Sequence, residues 1–150
     1  MNKRSFLQAT LFVALTAIAA PGMAADTNSD PGEGQVSINY FRPDGNYKGW
    51  GLHAWARIPG GQDTPIDGVE WLAPMKPAGQ TEEGGVFWKV KLSEFGKSGT
   101  VWYLIHKGDS KEQGGKDQSF DGNKIKQVWV NQGDPKLYTS KEEAVKARQK

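Results

Sequence analysis

The chain has no cysteine and only two histidines in 150 residues. Without cysteine there is no disulfide, no thiol nucleophile and no thiolate metal site, so a folded domain must be held by its core alone. His53 and His106 lack the His-x-His or His-x3-His spacing of a metal motif, and no cofactor is expected. A charge of one sign is also missing. The chain has 19 Lys and Arg against 17 Asp and Glu, and losing Lys3 and Arg4 with a leader leaves 17 against 17. A balanced surface offers no electrostatic footprint for nucleic acid or an anionic membrane. Helical periodicity is absent from the middle of the chain.

One long apolar run exists, Phe6 to Ala20, too short to span a bilayer. Lys3 and Arg4 precede it, and Ala20-Pro21-Gly22-Met23-Ala24-Ala25 supplies small residues for cleavage. Residues 1–24 therefore read as a secretory signal, with an uncleaved anchor as the alternative. The expected product is exported to the periplasm or medium, with no membrane contact once the signal is gone. Residues 25–34 are polar and turn-rich, the pattern of a disordered lead.

Short alternating runs follow. Val36, Ile38 and Tyr40 share one face; so do Val86, Trp88 and Val90, and so do Val101, Tyr103 and Ile105. Ile125, Gln127 and Trp129 oppose Lys126, Val128 and Val130. Clusters of Gly, Pro and Asp separate these runs, and 19 glycines support many tight turns. The pattern predicts an all-β fold over residues 35–140, an antiparallel β-sandwich of immunoglobulin-like character. Val69-Glu70-Trp71-Leu72 reads as a short edge strand within the Pro- and Gly-rich segment Ile58–Gly85. Ser140-Lys141-Glu142-Glu143 is a capping box, so residues 141–150 are expected to form a short helical tail.

The most informative stretch is Tyr40 to Trp55. Pro43-Asp44-Gly45-Asn46 is a turn signal, since Pro presets φ and Gly and Asn accept positive φ. In the strand after it, Leu52 and Ala54 point one way while His53 and Trp55 point the other. If Leu52 faces the core, His53 and Trp55 form a solvent-facing aromatic ledge suited to a sugar ring. Trp50 differs in parity from His53, so both flank Trp55 only with a bulge at Gly51. Of the six tryptophans, Trp88 and Trp102 read as core, Trp129 as undecided, and Trp71 as a lesser candidate platform.

Tyr40-Phe41-Arg42-Pro43-Asp44-Gly45 followed by Gly49-Trp50-Gly51-Leu52-His53-Ala54-Trp55 resembles the opening of the pullulanase-associated domain, carbohydrate-binding module family 41. Ile105-His106-Lys107-Gly108-Asp109, Lys116-Asp117-Gln118-Ser119-Phe120 and Val128-Trp129-Val130-Asn131-Gln132-Gly133-Asp134 are similar to that family's later motifs, in order. The likeness runs from about Gln35 to about Ser140. It implies binding of α-glucans: starch, glycogen, pullulan or malto-oligosaccharides. It also implies that the aromatic position two before Trp55, here His53, contacts sugar. The family carries a lysine on the loop after His106 and an aspartate beyond it; Lys111 and Asp117 fit best, with Lys107 as a substitute lysine. An ammonium beside a carboxylate suits vicinal hydroxyls, which present donors and acceptors together.

No two carboxylates are paired in a motif for glycoside hydrolysis, and no nucleophile elbow or phosphate loop is present. The expectation is a stand-alone, monomeric, non-enzymatic module whose partners are an α-glucan and a separate amylolytic enzyme. The alternative is an exported sandwich that binds protein and no sugar. Exposure separates them: an open ledge at His53 and Trp55 favours sugar, one covered by Ile58–Gly85 favours protein.

Overall fold

The computed structural model describes residues 27–150, so the secretory signal read at residues 1–24 lies outside the described residues. Ten strands run in the order β1 (Gln35–Phe41), β2 (Gly51–Ala56), β3 (Thr64–Pro65), β4 (Gly79–Gln80), β5 (Val86–Lys91), β6 (Thr100–Lys107), β7 (Ser110–Lys111), β8 (Gln118–Asp121), β9 (Gln127–Asn131) and β10 (Leu137–Tyr138). One helix follows, α1 (Lys141–Ala147). The strands make two five-stranded sheets, the sandwich that the alternating pattern predicts. The first has the order β10-β9-β1-β5-β4. In the second, β3-β2-β6 is continuous, and β7 and β8 share the far edge of β6.

Pairing is antiparallel except between β1 and β9, which run parallel. That departure from a wholly antiparallel sandwich follows from connectivity. The chain reaches β9 from β8 in the other sheet, and no hairpin imposes an antiparallel return.

The inward faces are those the period-two reading assigns. Val36, Ile38, Tyr40, Val86, Trp88, Val90, Val128 and Val130 from the first sheet meet Leu52, Ala54, Val101, Tyr103, Ile105 and Phe120 from the second. Trp88 is fully buried, and its indole N–H donates to the Met75 carbonyl at 2.7 Å, which removes the penalty of an unpaired buried donor. Trp102 is a correction. It lies half-buried on the outer face, because it alternates with Val101 and Tyr103, which are fully buried.

Ser140 caps α1 by accepting from the Glu143 N–H at 3.4 Å, a contact of the kind that contributes about 1 kcal/mol. Asn131 of β9 donates to the Ala144 carbonyl at 2.9 Å, and Arg148 donates back to Asn131 at 2.8 Å. The helix is thus stitched to the first sheet by polar bonds as well as by buried Ala144.

The Ile58–Gly85 segment differs from expectation. Val69–Leu72 is no strand; Glu70 and Ala73 bond to each other across a tight turn with Trp71 and Leu72 at its tip. The edge position belongs to Thr64–Pro65 instead, a place where a residue without an N–H is tolerated. Buried Ile66 and Val69 pin the segment to the core.

Candidate carbohydrate-binding site

The register between β2 and β6 builds the outer face of the second sheet. Gly51 lies opposite His106, His53 opposite Leu104, and Trp55 opposite Trp102, without interruption. There is no bulge at Gly51. The absence of a side chain there serves close approach instead. A Cβ on Gly51 would lie 2.7 Å from Pro74 and 3.0 Å from the Met75 carbonyl. The segment after the Trp71 turn therefore settles directly on the sheet, bonded at Leu52 N to Met75 O (3.0 Å) and Met75 N to Leu52 O (2.8 Å).

That crossing brings Trp71 onto the sheet's aromatic row. Its ring stacks on His106 with centroids 4.0 Å apart and planes 7° from parallel. His53 meets Trp71 edge-on at 5.5 Å and 77°, and Trp55 at 5.6 Å and 37°. Trp55 continues to Trp102 at 6.5 Å. Such offset and edge-to-face contacts suit the ring quadrupole. His106 is fully buried, and its Nδ1 lies 3.0 Å from the Gly108 carbonyl. A carbonyl only accepts, so Nδ1 carries the proton and Nε2 is left without a partner. Burial, followed by the nearby His106, lowers the pKa of His53 below its ordinary value, and a bond to the Glu70 carbonyl partly opposes this.

Charged groups edge the row. Arg57 lies 3.9 Å over the Trp102 ring. It donates to both oxygens of Asp63, at 3.0 and 2.9 Å, and from Nη2 to Asp117 Oδ2 at 3.0 Å. Those bonds raise the Arg57 pKa and hold the Asp63 carboxyl below its usual range. Lys111 Nζ sits 5.0 Å from the Trp71 ring centroid. Between these groups opens a cleft of about 340 Å³, with His53, Trp55 and Leu104 from the sheet, Trp71 and Pro65 from the covering segment, and Asp63, Lys111 and Asp117 in polar positions.

Five residues singled out from the sequence therefore line one cleft: His53, Trp55, Lys111, Asp117 and the lesser candidate Trp71. Two do not. Trp50 keeps the parity of Leu52 and packs toward the core, 5.8 Å from the Tyr40 ring, with Arg42 4.6 Å over its face. It lines a separate concavity of about 510 Å³ with Leu72 and Pro74. Lys107 stands at the end of β6, where its stem would lie 3.2 Å from a Cβ on Gly49.

The open ledge also needs correction. Trp55 is only 5% exposed, because Pro65 pairs beside it, Trp102 stacks on it and Arg57 lies 6.0 Å over its ring. Trp71 is the more exposed indole. Arg57 and Asp63 have no signal in the sequence, since their meeting depends on how the segment folds back. Among the described residues no group of three or more His, Asp or Glu could hold a metal ion.

A β-sandwich with an aromatic, charge-rimmed cleft on an outer sheet face is the architecture of a binding module. The chain belongs to the bacterial pullanase-associated domain family, which it matches over residues 34–139. Among solved structures, it is similar to family 41 carbohydrate-binding modules from streptococcal virulence factors, described for α-glucan recognition. The identity there is 26%, the TM-score 0.57, and the match covers 73% of this chain and 48% of that one. Klebsiella pneumoniae pullulanase complexed with maltotriose shares the fold at 18% identity and TM-score 0.62, over 85% of this chain and 13% of the enzyme. An α-amylase of Streptomyces lividans is 39% identical over 75 residues, which is 50% of this chain and 7% of that protein. The chain thus spans a small part of the enzymes it matches.

Proposed function

We propose that this protein is a non-catalytic α-glucan-binding module and that the Trp71–His53 cleft is its binding site. The observation that carries the reading is the 77° angle between the His53 and Trp71 rings, 5.5 Å apart. Two platforms set at an angle match the curvature of an α-linked chain better than the flat run of a β-linked one. Trp71 offers a partly exposed face, half-buried His53 its neighbour, and Trp55 the floor beneath them. Lys111 brings three donors, and Asp117 keeps Oδ1 free while Oδ2 holds Arg57. Family membership and the streptococcal modules supply the α-glucan class.

The covering segment bears on the alternative reading. It shields Trp55, as a protein-binding module would have it, and leaves Leu72 94% and Ile58 55% exposed. Yet the same segment contributes Trp71, Asp63 and Pro65 to the cleft, so it builds the site as much as it covers the ledge. Retention on insoluble starch beside cellulose, followed by calorimetry with maltotetraose, decides between the two. Binding to starch but not cellulose, lost in Trp71→Ala, is expected. Absence of binding to starch and to maltotetraose by the folded protein overturns the sugar reading and leaves protein recognition. No sugar release from pullulan or amylose is expected, and release that survives repurification would contradict the non-catalytic assignment.

A further inference from the structure

Between Lys111 and Asp117 the chain turns two polar side chains inward. Glu112 and Gln113 are 6% and 3% exposed, while Lys111 and Asp117 are exposed. The Glu112 carboxylate is bonded through both oxygens. Tyr40 donates its hydroxyl to Oε1, and the Gly133 N–H donates to Oε2 at 3.0 Å. Arg42 Nη1 lies 3.6 Å from Oε1 and donates to the Tyr40 oxygen at 3.0 Å. Gln113 accepts from the Tyr103 hydroxyl at 3.0 Å and has φ of 53°, the positive φ of a non-glycine among the described residues.

A buried carboxylate is costly unless charge and hydrogen bonds surround it, and a loop that merely connects two strands leaves its acids in water. Here the buried acid directly follows the lysine of the proposed site. Its partners lie in the other sheet, Tyr40 on β1 and Gly133 between β9 and β10. We infer that Glu112 is a positioning residue: it anchors the loop carrying Lys111 and Asp117 to the first sheet, so that the polar groups reach a sugar already placed. The Glu112 N–H bond to Ile105 O and the Gly115 N–H bond to Glu112 O, both 2.9 Å, extend the anchor along the loop. This rests on the glucan-binding reading of the cleft.

Glu112→Gln tests it with little change of shape. Tyr40 and Gly133 bond different oxygens of Glu112, of which glutamine keeps one, and its NH₂ would face either the Gly133 N–H or the cluster around Arg42. Tyr40→Phe is the second variant; it keeps the ring in the core and removes one partner. Hydrogen exchange at the Glu112 and Gly115 amides should quicken at least about tenfold in both variants, with the β1 and β5 amides unchanged. Maltotetraose binding should weaken about fivefold or more. Lys111→Ala, costly in wild type, should then add less than about twofold in the Glu112→Gln background, because a displaced lysine has little left to lose. Unchanged exchange in both variants, or a Lys111→Ala effect that stays fully additive, overturns the anchor. If Glu112→Gln loosens every strand alike, Tyr40→Phe alone decides. If wild type itself fails to bind maltotetraose, the glucan reading falls, while the exchange data still show whether Glu112 holds the loop.

Discussion

Trp88 and Trp55 are both nearly sealed from water, at 0% and 5% exposure, yet they belong to different regions. Trp88 lies between the sheets with its N–H bonded to the Met75 carbonyl at 2.7 Å. Trp55 lies on the outer face of the second sheet, and its N–H has no partner of good hydrogen-bond geometry, only the Asp63 carboxylate nearby. The contrast teaches that burial alone does not separate core from site. The Trp88 N–H is satisfied inside the core, whereas the outer face keeps polar atoms in reserve; Ser37 Oγ and Asn39 Oδ1 of the first sheet also lack partners, so an unpaired buried atom does not by itself mark a site. His106 Nε2, likewise buried without a partner, lies on the same outer face as Trp55.

The largest effect expected from breaking the contrast is on the core side. Trp88→Ala should cost about 3–5 kcal/mol of stability, from lost burial and the cavity left behind, read as a lowered denaturation midpoint. Trp55→Ala should instead cost binding, about 2 kcal/mol or more against maltotetraose by calorimetry, with a smaller fall in the melt. Equal damage to the melt in both variants would erase the distinction.

A smaller effect is expected at the polar rim. Lys111→Ala and Asp117→Ala should each weaken binding roughly tenfold, the loss of one charged hydrogen bond. Lys107→Ala should bind as wild type, because its side chain lies along Gly49 and outside the cleft. A sensitive Lys107 beside a silent Lys111 would move the polar arm to the other end of the loop.

The smallest effect is in pH. The His53 pKa is lowered by burial, so below the ordinary histidine pKa the unfolded chain binds more protons than the folded one. Stability should therefore fall as pH drops through about 6.5, the unfolded value, and level off below the folded pKa. His53→Gln should flatten that part of a stability-against-pH curve measured by denaturant melts. An unchanged slope would show that His53 does not couple to folding.

Much of this was legible in the chain itself. Period-two alternation placed Leu52 and Ala54 inward and His53 and Trp55 outward, because strand side chains flip whatever the partner strand. The same parity rule put Trp50 on the core side unless a bulge intervened, and none does. The loop from Lys111 through Glu112 to Asp117 was less readable, since a charge-rich loop looks solvated until its buried partners are known.

Sequence by itself determined the strand faces, a turn around Pro43 and Asp44 (closed from Arg42 to Gly45, one residue earlier than read), the capped helix and the family, all of which rest on neighbours within a few residues or on ordered motifs. Only the tertiary structure decided what covers the outer face. Trp71 reaches His106 because Gly51 lets Pro74 lie on the sheet. Arg57 reaches Asp117 sixty residues away because the edge of β2 and the start of β8 are brought together across β6. Glu112 reaches Tyr40 from the other sheet. Contacts between residues so distant along the chain leave no local pattern, since their energy depends on packing that exists only once both sheets have closed.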